Sequence, residues 1–291
     1  MSGDSSGLLA RLGGPVLVFG LIGLLVGGAL VPYVWGATTG ADGTVAVIEL
    51  HGTITQDTAS ATLEDLREAR QNDSIKAAVI DVNSRGGLAS VSEQLYLAVN
   101  RTSQQMPVMV AVTGSALSGG YYASAPADSI YVTPAGSVGS VGVRAVVPPQ
   151  GAPDSEITTG PDKTTTATRA EARRRVEALR RAFVGSVQAE RDLSLSASEL
   201  SYAKVYSGSQ GVSIGLADEI GGLGAAVQSA AEQAGLSDYE TVRMESPSQS
   251  LLSQFGLNAS GESGDIDTTR YFMLHGQLDV STTEVRANVT N

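Results

Sequence analysis

From residue 44 onward, short apolar runs alternate with amphipathic stretches, and few architectures accept that alternation. TVAVIEL (44–50), KAAVIDVN (76–83), PVMVAVT (107–113) and SIYVTP (129–134) have strand length and read as buried strands. Between the first two, Leu63, Leu66 and Ala69 share one face of a helix expected over 62–71. Another helix is expected over 90–102. Strand–helix–strand repetition needs crossover connections, and crossovers make neighbouring strands parallel. The expected fold is therefore α/β, built of repeated βα units.

The connections are rich in glycine. Ser84–Gly87 reads as a turn, GSALSGGYYASAP (114–126) as a turn opening into a short helix, and GSVGSVGVRAVV (136–147) as a glycine-rich turn into a strand. Residues 148–167 lack periodicity, and so long a loop inside a domain is usually functional or mobile. Thr168 and Glu171 form a capping box that opens a helix. Ala172, Val176, Leu179, Phe183 and Val187 line one face of it. Arg169, Arg173, Arg174, Arg175, Arg180 and Arg181 fall mostly elsewhere, as on a solvated face. Residues 194–236 read as helices broken at Gly208 and at Gly221-Gly222, 237–270 as a linker, and YFMLHGQL (271–278) as a lone apolar strand.

The N-terminus is of another kind. No charge interrupts the stretch between Arg11 and Asp42, and residues 15–36 within it are apolar. Twenty-two residues at about 1.5 Å each cross a hydrocarbon core of about 30 Å. Tyr33 and Trp35 close the run, where amphipathic aromatics favour the interface. A cleaved signal peptide has a shorter apolar region, and Trp35 is bulky for a cleavage site before Thr38, so a retained anchor is the favoured reading. Arg11 before the span and Asp42 after it put the N-terminus in the cytoplasm and residues 37–291 outside. The expected organisation is a tail (1–14), a transmembrane anchor (15–36), a linker (37–43), a catalytic domain (44–236) and a linker with a C-terminal strand (237–291).

Composition removes several chemistries. The chain has 291 residues, a net charge of −11, no cysteine and two histidines, His51 and His275. Thiol catalysis and thiolate metal sites are excluded, and so acidic a chain disfavours nucleic acid as a partner. Lysine occurs only at 76, 163 and 204.

Ser118 stands at a strand-to-helix junction before Gly119-Gly120. Free N–H groups at such a junction can stabilise an oxyanion, and glycine lets a substrate approach the backbone. Gly86-Gly87 also follows the C-terminal end of a strand, the usual site edge of a parallel sheet. Two such turns could meet over one carbonyl. By itself a Ser-Gly-Gly is more often only a turn.

Residues 80–87 (IDVNSRGG), 114–128 (GSALSGGYYASAPAD), 139–143 (GSVGV) and 203–222 (AKVYSGSQGVSIGLADEIGG) resemble, in order, the signal peptide peptidase A family of serine peptidases. The resemblance covers about residues 44–236. It implies a ClpP/crotonase-type α/β fold, an N-terminal anchor holding the domain outside the cytoplasm, and peptide cleavage by a Ser/Lys dyad without metal or cofactor. Carried over, Ser118 is the nucleophile, and the N–H groups of Gly87 and Gly119 are the oxyanion donors. The base is the lysine of Thr159-Gly-Pro-Asp-Lys163. A lysine can act as base once its pKa falls from about 10.4 to about 7–8. His51 ends an early strand and His275 lies in the tail, so neither fits that part.

The resemblance departs in three places. Arg85 replaces the proline usual in the glycine turn, which reshapes that strand or adds a cation near the substrate. The stretch from GSVGV to Lys163 is short for the family. Asp162 would keep Lys163 charged if it pointed inward. Members of this family form rings in which serine and lysine come from neighbouring subunits, so a homo-oligomer with composite sites is expected, acting on signal peptides or other unfolded peptides at the membrane. Two alternatives are a catalytically inactive scaffold of the same fold and a crotonase-like acyl-CoA enzyme.

Overall fold

The computed structural model describes residues 41–147, 168–244 and 270–276. The span at 15–36, the loop at 148–167 and Lys163 lie outside the described residues. Among the described residues no helix is long and apolar enough to cross a membrane.

The centre is a parallel array. β1 (Gly43–Ile54), β2 (Ile75–Leu88), β3 (Val108–Leu117) and β4 (Ser129–Val132) lie in the order β1-β2-β3-β4, each parallel to its neighbour. β5 (Ser137–Gly139) pairs parallel with the end of β3, β6 (Arg144–Val146) follows it, β7 (Val205–Ser207) pairs antiparallel with β5, and β8 (Glu219–Ile220) continues the array beyond β4. The crossovers are α1 (Gln56–Gln71) and α2 (Ala89–Ser103), followed by the short α3 (Gly119–Ser124). Both faces are covered, and alternate residues divide between two cores. Ala46, Ile48, Ala78, Ile80, Val108 and Val110 face one side with Leu66 of α1 and Leu95 of α2. Val45, Val47, Ala77, Val79, Met109 and Ala111 face the other, against Ala226 and Ala230 of a helix at Leu223–Gln233. That two-sided burial is why the strand sequences are continuously apolar. Each fully buried valine or isoleucine contributes about 1.5–3 kcal/mol.

The helix from the capping box runs Arg169–Glu190, with Thr168 and Glu171 capping each other's backbone. Of the predicted stripe, Ala172, Phe183 and Val187 are buried and Val176 and Leu179 half-buried; Val184 is buried as well, and the arginines at 169, 173, 174, 175 and 181 are exposed.

Three expectations are corrected. Ser84–Gly87 is not a turn: β2 continues through it, and a Cβ on Gly87 would stand 2.0 Å from the Ile54 carbonyl oxygen. Here glycine marks close backbone approach, not a bend. The segment after 236 is not wholly linker, because β9 (Tyr239–Arg243) pairs parallel with the start of β1. Gly208 opens a helix, Gly208–Ser213, rather than breaking one.

Gly208 has the same cause as Gly87: its Cβ would lie 2.0 Å from the Thr133 carbonyl oxygen. Gly208→Ala is therefore expected to destabilise the fold by about 1–3 kcal/mol, the usual range for overpacking. Urea unfolding measures it, and an unchanged midpoint would show that the backbone yields freely there.

Candidate active site

Where β3 ends, it leaves the side of β2. The last β2–β3 partners are Ser84 and Ala116. Beyond them β2 runs on through Gly86 and Gly87, while β3 runs to Leu117 and meets α3 at Ser118. The chain turns there with Ser118 at φ 51°, ψ −115°. That conformation costs a residue with a Cβ on the order of 1–3 kcal/mol and persists only when neighbours impose it. They do: the Ser118 N–H donates to the Gly139 carbonyl at 2.8 Å, and the Tyr122 N–H donates to the Ser118 carbonyl at 2.8 Å. Ser118 is 1% exposed. Its hydroxyl makes one long hydrogen bond, to the Gly142 carbonyl at 3.3 Å. A donor held so loosely is free to be re-aimed.

The two glycine segments meet. A Cβ on Gly86, whose φ is +89°, would stand 2.6 Å from the Gly119 nitrogen. One on Gly119 would stand 2.2 Å from Ser92 Oγ, and one on Gly120 2.7 Å from the Ser84 carbonyl oxygen. Side chains at these positions would fill the space between β2 and the start of α3.

A strand from the C-terminal tail lies against this junction. β10 (Arg270–Leu274) takes the edge of β2 that β3 vacates, antiparallel to it, with Met273 opposite Gly87. Its other side pairs antiparallel with β6 (Arg144–Val146). The His275 N–H donates to the Arg85 carbonyl at 2.9 Å. Hydrogen-bonded and open pairs alternate along an antiparallel ladder, so Met273 and Gly87 form the next hydrogen-bonded pair, with the Gly87 N–H facing the Met273 carbonyl. The Met273 oxygen would lie 2.0 Å from a Cβ on Gly86 and 2.9 Å from one on Gly119. A peptide carbonyl thus sits where the two glycine segments converge.

Sequence reasoning missed several groups around that carbonyl. Ser140, also at positive φ (56°), places its Oγ 3.0 Å from His275 Nδ1. His275 therefore does approach the site, beside Ser140. Arg144 Nη1 donates to the Gly276 carbonyl at 2.6 Å, while its Nε and Nη2 are buried without a partner among the described residues. Arg85 lies beside Gly276, where a Cβ would stand 2.9 Å from its guanidinium. Arg85 is thus next to the tail strand. No local signal marks these groups, because the tail that gathers them is about 130 residues away in sequence from Ser140.

The tyrosines after Ser118 hold the floor. Tyr121 is fully buried and donates to the Leu216 carbonyl at 2.8 Å, and burial pushes its phenol up. That bond ties the Ser-Gly-Gly segment to GLADEIGG. Asp218 of the same run accepts from the Ile130 N–H at 2.6 Å and pairs with the buried Arg191. Tyr122 stacks on Tyr96 at 4.7 Å and packs on Phe183 at 4.6 Å. Burial, with Glu190 accepting from its hydroxyl, pushes Tyr96 up to about 12. These groups stay neutral and structural.

The chain is similar to known proteases. The family described as Peptidase family S49 matches residues 100–149 and 155–237, which include Ser118 and Lys163 but not the Gly86-Gly87 segment. Protease 4 of Salmonella typhi is 36% identical over 126 residues, covering 40% of this chain and 20% of that one. The chloroplastic serine protease SPPA of Arabidopsis thaliana is 32% identical over 85 residues, covering 29% of this chain and 13% of its own. The chain thus matches a fifth or less of the length of these two relatives. Among solved structures, a mutant of the 1510-N membrane-bound stomatin-specific protease, in complex with a substrate peptide, shares the fold. Its TM-score is 0.51 at 15% identity, covering 74% of this chain and 98% of that one.

Proposed function

We propose, from its match to peptidase family S49 over residues 100–149 and 155–237, that this chain is a membrane-anchored serine endopeptidase acting on signal peptides and other unfolded peptides. One observation carries the reading. A buried, conformationally constrained serine stands at the junction where two glycine segments converge on a peptide carbonyl.

Ser118 Oγ attacks the scissile carbonyl carbon and gives its proton to the neutral amine of Lys163. The carbonyl oxygen gains the charge and is held by the N–H groups of Gly87 and Gly119, each such donor being worth about 2.7–4 kcal/mol in the transition state. Collapse breaks the C–N bond, and the Lys163 ammonium protonates the leaving amine. Water then attacks the Ser118 ester, with Lys163 again taking the proton, and collapse breaks the ester C–O bond, frees the carboxylic acid product and returns that proton to Ser118 Oγ. No metal or cofactor takes part. Lys163 comes from the family resemblance and from its place within the matched residues.

Hydrolysis of a synthetic signal peptide by the purified chain tests this, together with labelling by a fluorophosphonate. Label on Ser118 is the expected result. A folded chain that cleaves no peptide and takes no label would leave the scaffold reading. Acyl-CoA chemistry has nothing in the described site to favour it.

Anchoring rests on the uncharged residues 15–36, and orientation on Arg11. Protease added to intact spheroplasts is expected to digest residues 37–291. Protection until lysis would reverse the topology. A homo-oligomer fits the family resemblance and the exposure of Tyr202, Val205 and Ile220.

A further inference from the structure

We infer that Arg85 and Arg144 form a carboxylate subsite three residues beyond the cleaved bond, so that the preferred substrates are peptides with a negative group at that place, a free C-terminus above all. The inference rests on the peptidase reading for where the bond lies, and on geometry and charge for what the two arginines hold.

Gly276 marks the place. It stands three residues beyond Met273, which lies opposite Gly87 in the antiparallel register an extended peptide would take. Arg144 Nη1 donates to the Gly276 carbonyl at 2.6 Å. A Cβ on Gly276 would stand 2.9 Å from Arg85 Nη2 and 3.4 Å from Arg85 Cζ. Two guanidinium groups from separate strands, β2 and β6, thus converge on one backbone position.

What they meet there does not satisfy them. Neither arginine takes part in an ion pair among the described residues, in a chain whose net charge is −11. Arg144 Nε and Nη2 are buried without a hydrogen-bond partner among the described residues. A guanidinium stays charged at any working pH, and buried donors left unpaired on it are costly. The Gly276 carbonyl offers one oxygen and no charge. A carboxylate offers two oxygens that match adjacent nitrogens of the guanidinium fork, in charge-assisted bonds roughly twice as strong as neutral ones. A peptide that ends at this position would set its terminal carboxylate where the Gly276 carbonyl lies, on Arg144 Nη1 and Nη2, with Arg85 beside it. An acidic side chain at the same position would meet Arg85 first. Peptide hydrolysis creates free C-termini, so the reaction that supplies the favoured substrate is an earlier proteolytic cut.

A nested set of synthetic signal peptides tests this, each one residue longer at its C-terminus, made as free acids and as C-terminal amides. With the full chain in detergent, mass spectrometry of the products should show the cut following the end of the free acids, three residues from it. An acid should exceed its amide in kcat/KM by roughly tenfold, mostly through KM, as charged hydrogen bonds would give. Amides with Glu or Gln as the third residue after the cut separate the two sources of the carboxylate. A gain confined to the Glu amides keeps the subsite and makes the side chain its source. Arg85→Ala, at an exposed position, and Arg144→Ala should each bring the ratio of acid to amide toward one, with Arg144→Lys, which loses the fork, in place of the latter should it not fold. Equal kcat/KM for all four kinds of peptide overturns the inference, as does a preference that survives in both variants. If no peptide is cut, the peptidase reading fails and binding decides. The same peptides, tagged with fluorescein, should bind the Ser118→Ala chain with acid and amide Kd values roughly tenfold apart. Equal binding, or none, overturns it.

Discussion

Ser118→Ala is expected to lower kcat for a signal peptide by about four to six orders of magnitude, the loss seen when a serine nucleophile is removed. The fold should be almost untouched. Alanine has the same Cβ as serine, so the strain at φ 51° is unchanged, and the backbone bonds to Gly139 and from Tyr122 remain. What is lost is one long hydrogen bond to the Gly142 carbonyl, worth at most about 1 kcal/mol. Peptide hydrolysis and a thermal melt on the same preparation separate the two effects. A variant that keeps wild-type turnover would remove Ser118 from the mechanism, and Ser140→Ala would then be the next serine to test.

The parts of this fold that could be read from sequence are those whose burial is local and two-sided. β1 to β4 appear as continuous apolar runs because helices cover both faces of each. The long helix is legible because its capping box and its stripe from Ala172 to Val187 lie within one element. Ser118 and Gly119 are legible because a strand-to-helix junction leaves a compositional mark. β9 and β10 leave almost none. Tyr239–Arg243 is largely exposed, and Arg270–Leu274 is recognisable as a strand, but nothing local says which edge it joins. Ser84–Gly87 misleads for a physical reason. Glycine marks either a turn or a backbone that passes close by, and only the position of Ile54 decides between them. His275 and Arg144 become site residues solely through the pairing of the tail.

Lys163→Ala should reduce hydrolysis nearly as far as Ser118→Ala, and Lys163→Arg should not restore it. Serine needs a group that accepts a proton near neutrality, and a guanidinium stays protonated with no acceptor to offer. The other lysines are placed unfavourably. Lys76 is exposed at the start of β2, roughly 35 Å of extended strand from Gly87 at the usual rise per residue. Lys204 is nearer, since its carbonyl accepts from the Ser140 N–H, but its Nζ lies over the exposed ring of Tyr202 at 5.8 Å. Lys204→Ala is therefore the control that should retain activity. Loss there with retention in Lys163→Ala would move the base to residue 204. The same pair of inactive chains decides whose lysine serves whose serine. Co-refolded Ser118→Ala and Lys163→Ala subunits should recover roughly a quarter of wild-type activity if each site is built from two copies, since random pairing leaves that share of interfaces with both groups intact. Mixed oligomers that stay inactive would place serine and lysine of each site in one chain.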